Sequence, residues 1–398
     1  MKETRFKDTE IGRIPENWTV STIENIAMIT TGSQNTQDNE ENGDYPFYVR
    51  SQQVERINKW IFDTEGVVTA GDGVGTGKVF HYVNGKFGLH QRCYLIHNFV
   101  SNMSARYFFW IFSNNFYERV HSMTAKSSVD SVRREMIAGM QIPIPPLSEQ
   151  IRIASALTSI DNLISSLDKL IEKKKAIKEG TMQQLLTGKK RLKGFNGVWK
   201  NTSMIDMVDS FNDILDGDWI EAKYLSKTGV RLIQTGNIGE GEYLEKNPKY
   251  VTQETFSLLR CREVLPGDLL ICRLAEPAGR CCLAPSLHQK MITSVDVTIF
   301  RPSNRFDRNF LCYLFNCKEW LEVVAEETRG STRQRIARKT LENLAIPMPF
   351  DKAEQSAIAS ILFSIDTDIY SLVQKKIKFQ KVKQGMMQQL LRGRIRLV

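Results

Sequence analysis

The sequence predicts an α+β fold in which two mixed α/β domains are separated by two long helices. The segment from Glu149 to Leu192 recurs 205 positions later, from Glu354 to Leu397, and both copies contain the run Met-Gln-Gln-Leu-Leu shortly before a glycine. Each copy follows a span of short apolar runs and turn residues. At 398 residues the chain is too long for one ordinary core and suits two domains. The chain is therefore expected to consist of two tandem halves that share one frame.

Residues 1–146 have the pattern of a mixed α/β domain. Short apolar runs (YPFYV, GVVTA and RCYLI) alternate with turn signals such as Asn42-Gly43 and Asn84-Gly85. A helical stretch is predicted near residues 105–119.

Residues 147–193 are predicted to form the first long helix. Its apolar residues recur at four-three spacing, which lays one stripe along a helix that packs on a partner; they are Ile153, Leu157, Ile160, Ile164, Leu167 and Ile171. Ser148 is the predicted N-cap, and Gly188 is the predicted end of the helix. About 40 residues at ~1.5 Å each would give a rod of roughly 60 Å.

Residues 194–350 are predicted to form a second mixed domain with the outline of the first. Trp18 and Trp199 stand at the two openings, and QIPIP at 141–145 matches AIPMP at 345–349. Strand-like runs (RLIQT, DLLICRL and DVTIF) lie between these ends, with a helical stretch near residues 310–326. The second domain carries about 23 extra residues, so the domains share ends and differ inside.

Residues 351–398 are predicted to form the second long helix, with Asp351 and Glu354 spaced as a capping box. The apolar stripe recurs at Ile358, Leu362, Ile365, Ile369 and Leu372. The obvious cover for each stripe is the other copy. Polar residues such as Gln183 and Gln184 recur as Gln388 and Gln389 although burial does not require them, which suggests an outer surface that meets the same partner twice.

The positive charge is concentrated in the two helical regions. The chain has a net charge of +9, and residues 147–193 carry 10 Lys and Arg against 5 Asp and Glu, whereas residues 351–398 carry 9 against 4. A basic helix can bind nucleic acid, but it can also be a solvated face or a partner surface. Hydrophobic content of 41%, no run of eighteen apolar residues and a start without a signal peptide predict a cytoplasmic protein with no membrane partner.

Catalytic and metal motifs are not recognisable in the sequence. The glycine run at 71–78 lacks both the P-loop spacing and GxGxxG, no Asn-Pro-Pro-aromatic segment occurs, and no acidic nuclease pair is visible. The seven cysteines lack zinc spacing, so buried reduced thiols are expected, and the neighbouring His90, Cys93 and His97 are interpreted as core residues. No metal or cofactor is predicted on this chain.

Planar polar side chains in loops are the candidates for recognition. Arg reads guanine and Asn or Gln reads adenine in the major groove, while Lys, Ser and Thr hold phosphates. Each one alone is better explained as a solvated surface residue, but two clusters stand at matching places near the ends of the domains and together favour recognition. The candidates in the first domain are Arg50, Gln52, Gln53, Thr76, Lys78, Gln91, Arg92, Lys126, Ser127, Arg133 and Arg134. Those in the second are Arg231, Gln234, Asn237, Arg273, Arg280, Ser331, Thr332, Arg333, Gln334 and Arg335.

The layout resembles the specificity subunit of type I restriction-modification enzymes. The resemblance spans essentially the whole chain and rests on IPENW near Trp18, PPLSEQIRIASAL with its degenerate copy PFDKAEQSAIASIL, and the two Met-Gln-Gln-Leu-Leu endings. It implies that 1–146 and 194–350 are target-recognition domains for double-stranded DNA. It also implies that 147–193 and 351–398 form an antiparallel coiled coil with pseudo-two-fold symmetry.

The resemblance further implies a non-catalytic subunit that recruits two methylation subunits and two restriction subunits. S-adenosylmethionine, ATP and Mg are then expected on those partners. The second helix departs from the pattern at its start, Asp351-Lys352-Ala353, which weakens the case for equal partner contacts in both halves. A helical adaptor that grips proteins and an enzyme with an unrecognised site are the alternatives.

Overall fold

The computed structural model describes residues 5–123, 131–330 and 334–398. These residues form two compact units: unit 1 comprises residues 1–169 and 373–398, and unit 2 comprises residues 170–372. Each unit combines a mixed α/β domain with segments of both long helices. The predicted boundaries follow the sequence repeat, whereas the compact units divide each long helix between them.

The first half of the chain has twelve strands and three helices among its described residues. The strands are β1 Phe6–Lys7, β2 Ile14–Pro15, β3 Thr19–Thr22, β4 Met28–Thr31, β5 Tyr45–Tyr48, β6 Glu55–Ile57, β7 Phe62–Asp63, β8 Gly66–Ala70, β9 Phe80–Val83, β10 Lys86–Leu89, β11 Cys93–His97 and β12 Gln141–Ile144. The helices are α1 Ala105–Met123, α2 Arg134–Ala138 and α3 Leu147–Leu185.

The second half has ten strands and five helices among its described residues. The strands are β13 Trp199–Ser203, β14 Ile214–Asp216, β15 Leu225–Ser226, β16 Val230–Ile233, β17 Lys249–Val251, β18 Leu269–Cys272, β19 Cys281–Leu283, β20 Met291–Thr293, β21 Val297–Phe300 and β22 Ala345–Pro349. The helices are α4 Gln253–Leu258, α5 Arg308–Leu314, α6 Lys318–Glu326, α7 Arg338–Asn343 and α8 Lys352–Leu390.

The two domains have matching antiparallel sheets, and their mixed sheets share three strands. In unit 1 an antiparallel sheet has the order β4-β11-β8-β9, and a mixed sheet has the order β6-β5-β10-β7 with β5 and β10 parallel. Unit 2 has an antiparallel sheet of order β14-β21-β18-β19 and a mixed sheet of order β15-β17-β16-β20 with β16 and β20 parallel. In each domain the strand of the repeated Ile-Pro segment, β12 or β22, pairs with the strand at the domain's opening, β3 or β13. The domains therefore share these pairings and differ in the fourth strand of the mixed sheet, which is β7 beside β10 in unit 1 and β15 beside β17 in unit 2.

In unit 1 the beginning of α3 and the end of α8 run antiparallel. Three ion pairs show this direction: Glu149–Arg396, Asp161–Lys383 and Asp168–Lys376. The residue number of the partner on α8, or just beyond its end, decreases as the residue number on α3 increases. Ile153 and Leu157 from α3, and Leu390 with Leu391 from α8 and its end, are buried in the core of unit 1.

Unit 2 repeats this arrangement with the helices exchanged. Its ion pairs are Arg191–Glu354, Lys178–Asp366 and Lys174–Asp368. Ile358 and Leu362 of α8 lie in the core of unit 2 together with Leu185 and Leu186. The first two pairs are those of unit 1 shifted by 205 positions, so the predicted antiparallel packing of the two repeats is confirmed within each unit.

The helix starts differ from the prediction in detail. Ser148 is not the N-cap, because α3 already begins at Leu147. Asp351 does precede α8 and accepts a hydrogen bond from the N–H of Ala353 at 2.9 Å. Glu354 does not complete a capping box, because its carboxylate is held by Arg191 at 2.7 and 2.8 Å.

Helix α8 is long and apolar enough to cross a membrane by length and composition, with a mean hydropathy of 1.3 over its most apolar window. A single helix of this kind does not by itself indicate a membrane span. Its two ends are instead buried in protein cores, and Lys376 and Lys383 along it form ion pairs.

Candidate nucleic-acid interface

Three loops of unit 1 meet at one edge of its sheets. They follow β5, follow β8, and join β10 to β11, and we call them together the loop edge of unit 1 (residues 49–54, 71–79 and 90–92). Backbone hydrogen bonds tie the loops: His90 N–H donates to Tyr48 O at 3.0 Å, and Gly71 N–H donates to Arg92 O at 2.8 Å. The edge is therefore a built surface and not a set of independent loops.

Asp72 holds two of the predicted recognition residues. Its carboxylate accepts from Arg50 Nη1 at 2.8 Å and from Arg92 Nη1 at 2.9 Å. Burial acts to raise the pKa of Asp72, but the hydrogen bonds and charges of the two arginines outweigh it and hold that pKa below its ordinary value. The guanidinium groups of Arg50 and Arg92 remain partly exposed, with 39% and 59% of the side chains accessible. Asp72 thus orients two arginines and leaves donors free for a ligand.

The glycine run at 71–78 forms the tight connection between β8 and β9. Gly73 and Gly77 have φ of 80° and 68°, which only glycine adopts readily. Thr76 is buried and donates to Gly73 O at 2.5 Å, so its hydroxyl shapes the loop. Val74 at the tip is fully exposed, and Lys78 Nζ lies 5.3 Å from the Tyr117 ring centroid. A strand-to-strand turn is not a P-loop, which leads from a strand into a helix.

The other candidates of the first domain lie at or beside this edge. Gln52 and Gln53 are exposed after β5, and Gln91 is exposed and donates to Asn35 Oδ1. Arg133 and Arg134 are exposed at the start of α2, close in sequence to Ser131, which forms a β-bridge with Asp72. Lys126 and Ser127 lie outside the described residues.

Unit 2 has an equivalent loop edge, formed by residues 216–221, 234–238, 273–280 and 294–296. Arg273 N–H donates to Asp296 O at 2.8 Å, as Gly71 N–H does to Arg92 O in unit 1. The bridge between Leu274 and Arg335 matches that between Asp72 and Ser131. The backbone frame of the two edges is therefore the same.

The charged groups on that frame differ between the units. Arg335 Nη2 lies 3.1 Å from Asp296 Oδ1, so the acid stands where unit 1 has Arg92. Asp216 binds both Arg273, at 3.0 Å, and Arg338, at 3.3 Å. Burial lowers the pKa of Arg273 from its ordinary value, and neighbouring Asp216 opposes that shift. Two similar frames thus present different side chains.

Three of the predicted residues in unit 2 have their polar groups used inside the protein. Arg231 is 1% exposed and donates to Leu232 O, Lys249 O, Tyr243 Oη and Glu245. Asn237 is buried and donates to Leu244 O and Lys246 O. Arg280 donates to four backbone carbonyls and ties loop 273–280 to loop 234–238.

Burial reduces the number of predicted recognition residues that can touch a ligand. A side chain that is buried or fully bonded would have to abandon its partners to read a base. Five of the predicted residues therefore support the loops and do not contact a ligand: Thr76, Arg231, Asn237, Arg273 and Arg280. Gln234 is half-buried, and Gln334 and Arg335 are exposed. Ser331, Thr332 and Arg333 lie outside the described residues.

Sequence reasoning missed the acids that position the arginines. Asp72, Asp216 and Asp296 carry no signal of their own, because acidic residues are common in solvated loops and nothing in the local sequence marks them as partners of a particular arginine. All three lie close to a strand end: Asp72 follows β8 after Gly71, Asp216 is the last residue of β14, and Asp296 directly precedes β21.

A polar cleft of about 410 Å³ lies in unit 1 on the helix side and not at the loop edge. It is lined by Asn114, Asn115 and Glu118 from α1 and by Asp161, Lys383, Gln384, Gln388 and Arg392, among others, from the helical segments. One of the glutamines that recur in the sequence, Gln388, thus faces open space.

All seven cysteines are buried free thiols, as predicted. Burial raises the pKa of the Cys93 thiol to about 12. In the described part of the chain, no group of three or more His, Cys, Asp or Glu side chains could hold a metal ion.

The chain is similar in sequence and in fold to known proteins of one family. A sequence profile described as "Type I restriction modification DNA specificity domain" matches residues 15–179 and 182–379. The type I restriction enzyme MjaVIII specificity subunit of Methanocaldococcus jannaschii is 29% identical over 435 aligned positions, which cover 100% of this chain and 97% of that protein.

Two solved structures share the fold. The type I restriction-modification system S subunit from M. genitalium has a TM-score of 0.64 at 12% identity, covering 94% of this chain and 96% of that one. A chain from a structure concerned with complex assembly and conformational transition of the type I R-M system has a TM-score of 0.57 at 15% identity, covering 96% of this chain and 99% of that one.

Proposed function

This chain belongs to the family of type I restriction-modification DNA specificity domains, and we propose that each of its two units reads one part of an asymmetric, bipartite DNA site. The carrying observation is the pair of loop edges, which share a backbone frame and differ in side chains. Arg92 in unit 1 and Asp296 in unit 2 occupy matching backbone positions with opposite charge. Two readers of one shape and different chemistry suit two different half-sites.

Base reading is proposed for the exposed and half-buried planar side chains of each edge. In unit 1 these are Arg50, Gln52, Gln53, Gln91 and Arg92, and in unit 2 they are Gln234, Gln334, Arg335 and Arg338. Arg suits guanine and Gln suits adenine in the major groove. Lys78 and the exposed Arg133 and Arg134 are proposed to hold phosphates, which would position the protein without carrying sequence information. Lys126, Ser127, Ser331, Thr332 and Arg333, which lie outside the described residues, stay in the proposal on the sequence alone.

The long helices are proposed to recruit the partners and to set the length of the unread gap. In unit 2, Leu170, Ile177, Phe363 and Tyr370 on the helical segments are more than a third exposed, which favours cover by apolar helices of a partner. In unit 1 the polar cleft at Gln388 is a second partner surface. Methylation subunits and restriction subunits are the proposed partners, and they would carry S-adenosylmethionine, ATP and Mg. This chain would then be a non-catalytic cytoplasmic subunit that directs adenine methylation and restriction.

Exchange of one domain tests independent reading. Residues 15–142 of the first domain would be replaced by the corresponding residues of a relative with a different known site. The methylated sites of the assembled complex would then be mapped by sequencing. We expect one half-site to change and the other to stay. A change in both half-sites would contradict the proposal.

A DNA-retention assay separates this proposal from an adaptor and from an enzyme. The chain alone and the chain assembled with its methylation subunit would be challenged with a randomised pool of 40-base-pair duplexes. Enrichment of one bipartite sequence by the assembly supports the proposal. An assembly that enriches nothing would favour a protein-gripping adaptor, and turnover of DNA by the chain alone would favour an enzyme.

A further inference from the structure

Trp219 is an aromatic side chain held outward at the loop edge of unit 2. The residue has 74% of its surface accessible to solvent, although a tryptophan ordinarily buries much of its ring. Among the described residues its indole has no hydrogen-bond partner and no ring contact. The ring is therefore available to a partner, and its position among the proposed base readers indicates which one.

The backbone beneath Trp219 is fixed. Gly217 N–H donates to Val297 O at 2.9 Å, and Asp218 N–H donates to Thr293 O at 2.8 Å. A Cβ at Gly217 would lie 2.1 Å from Ser294 O, so the loop lies flat against the strand end. The Asp218 carboxylate accepts from Arg262 N–H at 2.8 Å and from Arg262 Nη1 at 3.1 Å. Trp219 is therefore presented by a rigid support and not by a loose loop.

Trp219 shares its edge with the proposed base readers. Asp218 forms a β-bridge with Ser294, and Asp296 two residues later binds Arg335. Asp216, three residues before Trp219, binds Arg273 and Arg338. Arg262, Arg335 and Arg338, which pair with the acids of this edge, keep 48%, 53% and 39% of their side chains exposed. An exposed aromatic ring on the same edge as partly exposed guanidinium groups suits nucleic acid, because a base can stack on the ring while a guanidinium group contacts a phosphate or a base edge.

Unit 1 has a different side chain at this position. Gln34 forms the bridge to His90 that Asp218 forms to Ser294, and the next residue is Asn35. Asn35 accepts from Gln91 and so belongs to a polar network. The aromatic group is particular to unit 2.

We propose that Trp219 inserts at a base step of the half-site read by unit 2 and stacks on a base there. The proposal rests on the proposed function and adds a contact that unit 1 does not make. Stacking at a partly unstacked step favours flexible pyrimidine–purine sequences, so Trp219 contributes specificity through DNA deformability. The ring is a contact residue for DNA and takes no part in methyl transfer.

The test compares three variants in the complex with the methylation subunit: Trp219→Ala, Trp219→Phe and Phe211→Ala. Phe211 is the matched control, because it is an aromatic residue of the same unit, 80% exposed, at the other end of β14. The probe is the duplex that the wild-type complex enriches from the randomised pool. We expect W219A to bind it about tenfold or more weakly, W219F to retain most of the affinity, and F211A to bind as wild type.

Permanganate reactivity of thymines gives a second readout, because the reagent attacks unstacked thymines. We expect hyperreactivity confined to one half-site in the wild-type and F211A complexes and its loss in W219A. Equal affinity of W219A and F211A with an unchanged permanganate pattern would overturn the inference. Failure of W219A to assemble would overturn it in favour of a protein contact. If the wild-type complex enriches no duplex, the proposed function itself fails.

Discussion

Glu149 is a carboxylate placed in the apolar core of unit 1, and its partners explain how the core tolerates it. It is 1% exposed and accepts two hydrogen bonds from Arg396, both at 2.7 Å, and one from Trp18 Nε1 at 3.1 Å. Burial acts to raise its pKa, but Arg396 and Trp18 outweigh burial and hold the pKa below its ordinary value. The last residues of the chain are thereby fastened to the beginning of α3.

Arg396→Ala leaves this buried charge without its main partner. We expect the free energy of unfolding to fall by about 3 kcal/mol at pH 7, the lower end of the cost of breaking a buried pair. A depressed carboxyl pKa stabilises the fold above the unfolded pKa of about 4.5 and loses that effect as the pH falls through the folded value. The difference between wild type and variant should therefore shrink below about pH 4.5. Urea denaturation followed by tryptophan fluorescence from pH 7 to pH 3 measures both effects.

Arg394→Ala is the matched control, because Arg394 is exposed in the same segment and carries the same charge. It should leave the urea midpoint within experimental error of wild type. Equal losses in the two variants would show that net charge, and not the pair with Glu149, stabilises this end of the chain.

At the scale of elements, the periodic segments were predictable and the contacts across the sheets were not. The four-three spacing of Ile153 and Leu157 predicts the face of α3 that is buried, because helix period alone decides it. The run YPFYV predicts strand β5, but nothing in it indicates that β5 pairs in parallel with β10 some forty residues later. The sequence predicts Arg231 as a base-reading residue. Its burial could not be predicted, because that burial depends on Tyr243 and Glu245, which contact Arg231 only after the chain has turned back.

The loop edges show the same limit. The sequence places Arg50 and Arg92 in loops, yet only the fold brings both to Asp72. An arginine is recognisable by type, whereas the acid that orients it is recognisable only once the strands that carry them are paired.

Asp72→Asn tests whether the clamp orients the arginines of the loop edge in unit 1. The amide keeps the shape but removes the charge that holds Arg50 and Arg92. We expect binding to non-specific duplex to strengthen slightly and to depend more steeply on salt, because one negative charge is gone. Discrimination between the site and a duplex altered in one half-site should fall about tenfold or more, the scale of one lost base contact. Filter binding at several salt concentrations measures both quantities.

Asp63→Asn makes the same charge change on β7, where Asp63 is exposed and has no ion pair among the described residues. It should alter non-specific binding at most as much as Asp72→Asn and should leave discrimination intact. A loss of discrimination in both variants would mean that overall charge, and not the orientation of Arg50 and Arg92, accounts for the effect.

At the scale of the whole molecule, the two long helices connect the cores of the two units with equal lengths of chain. Leu157 and Leu185 on α3 are 28 positions apart, and so are Leu362 and Leu390 on α8. In each helix one of these leucines is buried in the core of unit 1 and the other in the core of unit 2. If only one helix changed in length, the ion pairs of unit 1 and those of unit 2 could not all form. Both helices therefore have to change in length together.

Duplicating one heptad in each helix tests whether helix length sets the unread gap. Residues 163–169 would be repeated after Lys169, and residues 368–374 would be repeated after Gln374, two points that the antiparallel ion pairs place opposite each other. Seven residues preserve the apolar stripe and add about 10 Å, close to three base pairs. We expect the methylated site to keep both half-sites and to gain about three unread base pairs, as mapped by sequencing. A duplication in α3 alone should destabilise the chain, because the pairs at Asp161 and Asp168 could not form together with those at Lys174 and Lys178. An unchanged gap in the stable double duplication would show that something other than the helices fixes the spacing of the half-sites.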